Sequence, residues 1–182
     1  MVAGSILPVS IHNGKLHFLF GKENPLEDSA KGWSDFGGRC DNGETPFKAA
    51  MREGGEELTG FLGDGKCIEK LIKKNGGVYT FEHNNYHVHI FFLEYDENLP
   101  KYYNENHCFL WERMDKELLS KTKLFEKIEI NWFSINDMKK KRNQFRNFYR
   151  EIVDIILREQ DDIFKFMEKH TKKKNNTTRK NR

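Results

Sequence analysis

The sequence is poor in cysteine. Cys40, Cys67 and Cys108 stand far apart and in no C-x-x-C spacing. An odd count without a framework argues against a disulfide scaffold and for reduced thiols in a cytosol-like compartment. No apolar run approaches the ~18 residues of a membrane span. The N-terminal "MVAGSILPVSI" has no cationic start and contains Pro8, so it reads as a strand and not as a signal peptide. An intracellular, cytoplasmic protein without membrane contact is expected. Net charge is small, +3, but unevenly spread: residues 171–182 carry six basic residues and no acidic one, and Lys139–Arg150 forms a second basic run. Each is expected either to meet phosphate, as a nucleic-acid contact or a nuclear address, or simply to be solvated.

What is present suffices for a core. Hydrophobic residues make up 37% of the 182, and phenylalanine alone supplies 15, so global disorder is not expected. "SILPVSIHNGKLHFLFG" reads as two strands around Asn13-Gly14, a hairpin signal because both residues accept positive φ. "ENPLEDSAKGW" reads as a loop, and "SDFGG" as a short extended piece feeding a glycine turn at Gly37-Gly38. Thr45-Pro46 opens a helix that Gly60 and Gly63 end. "GVYTFEHNNYHVHIFFLEY" predicts a second hairpin turning near Asn84-Asn85, and "KIEINWFSI" a further strand. Ser134 and Asp137 have the spacing of a capping box. Phe145, Phe148, Tyr149, Ile152, Val153 and Ile156 recur at helical spacing and predict a long amphipathic helix running on through Phe164 and Met167. The mixture predicts an α/β (α+β) sandwich, a sheet covered by helices. The expected organisation is a domain over 1–140, a C-terminal helix over 141–170 packed on or extending it, and a disordered basic tail over 171–182.

The helix after Thr45 breaks local rules. Glu53, Glu56 and Glu57 repel at helical spacing, and Gly54 and Gly55 each cost a helix interior about 1 kcal/mol relative to alanine. Ala49, Glu53, Glu56 and Glu57 fall on one face, and Phe47, Ala50, Met51, Gly54 and Leu58 on the opposite, buried one. Gly54 on the buried stripe permits close backbone packing; Gly55 has no evident reason in the sequence. Clustered hard oxygens suit Mg²⁺ or Mn²⁺ better than zinc. The plain alternative is a solvated acidic face paired with lysines.

This stretch resembles the signature of the Nudix hydrolases, G-x5-E-x7-R-E-U-x-E-E-x-G-U with U a bulky aliphatic residue. Gly38, Glu44, Arg52, Glu53, Glu56 and Glu57 match at the right spacings. Gly54 departs at the aliphatic position. Thr59 stands at the late glycine position, with Gly60-Phe61 following as if after a one-residue insertion. The resemblance implies the family's α/β/α sandwich with a mixed sheet, and hydrolysis of a nucleoside diphosphate linked to another group X. It implies that Glu53, Glu56, Glu57 and the Gly38 carbonyl hold Mg²⁺ or Mn²⁺, while Glu44 and Arg52 orient the glutamates.

"EKIEINWF" resembles the E-I-x-x-I-E-W-F segment of the mRNA-decapping members, with Trp132-Phe133 in register. That register makes Glu126 the implied general base, with Glu129 as the alternative. The implied substrate is capped RNA, toward which this segment and the two basic stretches tilt, with free nucleotides, including oxidised ones, or diphosphoinositol polyphosphates as the alternatives. A Nudix-fold binding module without catalysis is a separate class, against which the intact acidic pairs argue. His83, His87 and His89 lie near one another, but zinc needs more convergent ligands. Trp33, Tyr79, Phe81 and Tyr86 are expected in the core or stacked on a base.

Overall fold

The computed structural model describes residues 1–24, 31–121 and 125–180, except the side chains of 116, 120, 121 and 170–180. Most of the loop expected after Glu23 lies outside these residues. Strands β1 (Ala3–His12) and β2 (Lys15–Glu23) are joined by Asn13 and Gly14 at φ 51° and 71°. Two consecutive positive φ values define the tight turn whose twist matches the strands it joins. Strands β5 (Val78–His83) and β6 (Tyr86–Phe92) repeat the device with Asn84 and Asn85 at φ 51° and 63°. Both hairpins fall where the sequence predicts.

Strands β3 (Trp33–Ser34), β4 (Phe36–Arg39) and β7 (Lys127–Ser134) complete a mixed seven-stranded sheet. Its order is β3-β2-β1-β6-β5, with β4 added to β1 and β7 to β2; β1 and β6 are parallel. Side chains alternate between its faces. Leu7, Phe18 and Phe20 meet α5 (Ile135–Lys140) and α6 (Tyr149–Lys180), whereas Ile6 and Leu19 meet α1 (Pro46–Glu57), α2 (Gly65–Lys74) and α3 (Asn98–Arg113). A short α4 (Lys116–Lys121) follows α3. The result is the expected α/β/α sandwich. No helix of the described residues is long and apolar enough to cross a membrane.

Three elements differ from the sequence reading. The C-terminal helix starts at Tyr149 and not at Phe145, because Phe145 closes a 3-10 turn and bridges to Trp33. The backbone of α6 continues to Lys180, through the stretch expected to be disordered. Finally, α2 and α3 lie where the sequence reading placed no helix, although α2 has its marks, an Asp64 cap and buried Ile68 and Ile72 at helical spacing. The buried face of α3 is made by Pro100, Tyr103 and His107, too mixed in polarity to show a periodic stripe.

Candidate active site

Helix α1 starts as expected: Pro46 enters the first turn and Thr45 Oγ1 accepts the Lys48 N–H at 3.3 Å. Its end is different. Thr59 N–H donates to the Glu56 carbonyl at 2.9 Å and Gly60 N–H to the Gly55 carbonyl at 3.0 Å. That pair of bonds closes a helix on a left-handed residue, usually glycine. Here Thr59 takes that conformation at φ 48°. The signature's glycine is therefore replaced by Thr59 and not displaced by an insertion, and a β-branched side chain is strained there by about 1–2 kcal/mol.

Gly37 and Gly38 also correct an expectation. They form no turn but lie within β4, paired with Ser5 and Gly4. A Cβ on Gly38 would stand 2.4 Å from Glu53 Oε1, so bare backbone lies directly against that carboxylate. Gly55 finds its reason in α2: its Cβ would approach the Gly65 nitrogen at 3.2 Å where the helices cross.

The acidic helix face divides in two. Glu53 and Glu56 share Arg52, whose guanidinium holds Glu53 at 2.8 Å and Glu56 at 3.5 Å. The same guanidinium grips Glu44 through two bonds, 2.9 and 3.2 Å, and donates to the Arg39 carbonyl at 3.1 Å. The Glu44 carboxyl is consequently held below its ordinary pKa by Arg52. Ala49 and Glu57, expected on the solvated face, are buried instead, because β4 packs over them. Glu57 Oε2 accepts the Gly37 N–H at 2.8 Å and Oε1 meets Lys127 Nζ at 3.3 Å. Burial pushes the Glu57 carboxyl up to about 8, against the pull of Lys127.

Lys127 anchors a buried ionic network that the sequence reading missed. Its ammonium donates to Glu23 Oε1 at 2.5 Å and Ser34 Oγ at 2.9 Å, and Arg146 reaches the same Glu23 oxygen at 2.6 Å. Burial works to lower the Lys127 pKa, but Glu57 and Glu23 outweigh it and hold the ammonium charged. The available signal was Lys127 itself, a lysine where the E-I-x-x-I-E-W-F segment has isoleucine. Asp35 was missed too. It is buried beside the glycine strand, accepts bonds from Ser5 Oγ at 2.5 Å and Tyr86 Oη at 2.6 Å, and is pushed up to about 6 by burial.

Glu126 and Glu56 line one cavity with Thr59, Asn106 and Phe125. Glu129 lies elsewhere, 3.3 Å from Lys22. Among the described residues no three His, Cys, Asp or Glu side chains already converge as a metal cage. The donors nevertheless fit a hard divalent ion: all are oxygens, and Gly38 backbone adjoins Glu53 without an intervening side chain. The three histidines are spread among other partners. His83 meets Glu151 at 2.6 Å, His87 meets Glu82 at 3.7 Å, and His89 bonds the Ser5 carbonyl at 3.0 Å. Trp33 is core, and Tyr79, Phe81 and Tyr86 pack against it partly buried. In the basic run, Arg142 pairs with Asp154 at 2.5 Å, Arg146 with Glu23, and Arg150 donates to the Phe145 and Asn143 carbonyls.

The structure thus seats a carboxylate-rich helix on a glycine strand, within a sheet held between helical layers. The NUDIX domain family model matches residues 4–154. The chain belongs to the Nudix family and is a pyrophosphohydrolase. Its fold is similar to that of a C. elegans Ap4A hydrolase solved as a binary complex, with 16% identity, 88% of this chain and 96% of that chain covered, and a TM-score of 0.51. It is also similar to a MutT protein from Methanosarcina mazei Go1, at 15% identity, 88% and 94% coverage and a TM-score of 0.45. A bifunctional NMN adenylyltransferase/ADP ribose pyrophosphatase from Francisella tularensis, complexed with AMP and Mn, matches at 18% identity, 87% and 41% coverage and a TM-score of 0.49. Comparison with the curated proteins finds no match.

Proposed function

We propose that the chain hydrolyses free nucleotides of the nucleoside diphosphate-X type and depends on Mg²⁺ or Mn²⁺. The observation that carries this reading is the Arg52 cluster, one guanidinium fixing Glu44, Glu53 and Glu56 beside the bare Gly38 strand. Glu53, Glu56, Glu57 and the Gly38 carbonyl would hold the ion, which supplies Lewis acidity toward the diphosphate. Arg52 and Glu44 set the directions of Glu53 and Glu56. Glu126, which lines the same cavity as Glu56, takes the proton of the attacking water. Free nucleotides are favoured over capped RNA or diphosphoinositol polyphosphates because the arginines of the 139–150 run are engaged within the fold. The test is Mg²⁺- and Mn²⁺-dependent product release from nucleoside triphosphates, dinucleoside polyphosphates, ADP-ribose and capped RNA. Glu56→Gln is expected to lower turnover at least a hundredfold with the fold intact, and Glu126→Gln to lower kcat more than it changes KM. An unchanged rate in Glu56→Gln rejects the assignment.

A further inference from the structure

Three consecutive carbonyls at the entry of β7 are each held by another part of the chain. Asn24 Nδ2 donates to the Phe125 carbonyl at 3.1 Å, the Asn24 N–H to the Glu126 carbonyl at 2.8 Å, and the Tyr103 hydroxyl to the Lys127 carbonyl at 2.9 Å. Tyr103 is buried and shares the same hydroxyl with the Glu57 carbonyl, 3.0 Å away. One group thus bridges the end of α1 and the start of β7. The Lys127 side chain makes a second bridge, from its own strand to Glu57 Oε1. Resting on the hydrolase reading above, we propose that Tyr103 and Lys127 are positioning residues, a clamp that fixes Glu126 relative to Glu56 and Glu57.

The segment is held and not relaxed. Phe125 is left-handed at φ 69°, a conformation that a bulky side chain adopts only where its surroundings impose it. Its ring packs edge-on against His107, centroids 4.8 Å apart. Gly21 clears the path of the Lys127 side chain, since a Cβ there would stand 2.9 Å from Lys127 Cγ and Cδ. The ammonium then meets Glu23, Ser34 and Glu57, one partner for each of its three protons. A buried ion pair is often no more stabilising than apolar packing of the same volume. What this one adds is direction, because it ties β2, β3, α1 and β7 at a single point.

That point bears on the chemistry. Glu126 stands in sequence between two clamped residues and lines one cavity with Glu56, which belongs to a different element. Neither element alone sets their separation, yet a general base works only within reach of the water it deprotonates. A misplacement of about 1 Å costs up to about a hundredfold in rate. Tyr103 is assigned no contact with the reacting atoms and acts through Glu126.

The test is a double-mutant cycle on kcat. Tyr103→Phe removes one hydroxyl and leaves the ring against Phe61. It is expected to lower kcat about tenfold with KM within twofold. In the Glu126→Gln chain, whose base is already gone, the same change should cost less than twofold. A residue that merely supports the fold would cost the same in both backgrounds. Lys127→Met, if folded by circular dichroism, should weaken Mn²⁺ binding at least tenfold in electron paramagnetic resonance titrations, and unchanged binding removes Lys127 from the clamp. The Tyr103 cycle decides the proposal whether or not Lys127→Met folds. A Tyr103→Phe kcat within twofold of the unaltered enzyme, or equal losses in both backgrounds, overturns it. Backbone amide exchange across residues 125–128 reads the clamp without turnover and should speed up at least tenfold in Tyr103→Phe. Faster exchange without any metal-dependent turnover by the unaltered enzyme would reject the hydrolase reading and leave the clamp standing. Unchanged exchange overturns the clamp in either case.

Discussion

Replacing Asp35 by asparagine is expected to raise stability at neutral pH and remove a pH dependence. Asp35 is 1% exposed and burial lifts its carboxyl from 3.8 to about 6, with Ser5, Tyr86 and Lys127 holding it back. The unfolded chain titrates this group near pH 4, so between about pH 4 and 6 the folded state binds more protons. The stability of the protonated form is therefore fully present below pH 4 and lost as pH rises through 6. A shift of about two units corresponds to about 3 kcal/mol. Asparagine has the same shape and no charge. Tyr86 still donates to its oxygen, and its amide donates to Ser5 Oγ, which keeps a proton for the His87 carbonyl at 3.5 Å. Urea unfolding of both chains at pH 4, 5, 6 and 7 measures the difference directly. Asp35→Asn should gain on the unaltered chain by about 2–3 kcal/mol between pH 4 and pH 7. A flat difference, or a growing loss toward pH 7, refutes the burial argument.

Thr59→Gly should stabilise by about 1 kcal/mol in thermal unfolding, since it releases a left-handed β-branched residue. Thr59→Ala keeps the Cβ and should gain less; equal effects would locate the strain elsewhere. Lys127→Met should cost about 3–5 kcal/mol in denaturant unfolding, because two buried carboxylates lose their shared cation. Adding Glu23→Gln should recover part of that loss, and a neutral Lys127→Met would mean the network contributes nothing net.

The hairpins at Asn13-Gly14 and Asn84-Asn85, the capped start of α1 and the spacing from Gly38 to Glu57 are determined locally. Turn dihedrals, helix caps and intervals along one helix depend on neighbouring residues, so the sequence alone determines them. The charged positions of the site were legible for the same reason. Tertiary structure decided what each carboxylate does. Glu53, Glu56 and Glu57 look alike in sequence, yet Arg52 takes the first two while β4 and Lys127 bury the third. Lys127 itself becomes a buried cation only because Glu23, over a hundred residues away, arrives beside it. Helix α3 is specified by the partners it finds, Tyr103 bonding the Glu57 and Lys127 carbonyls and Asn104 capping a sheet edge. Local pattern cannot show such contacts, because burial and charge pairing are properties of groups brought together by the fold.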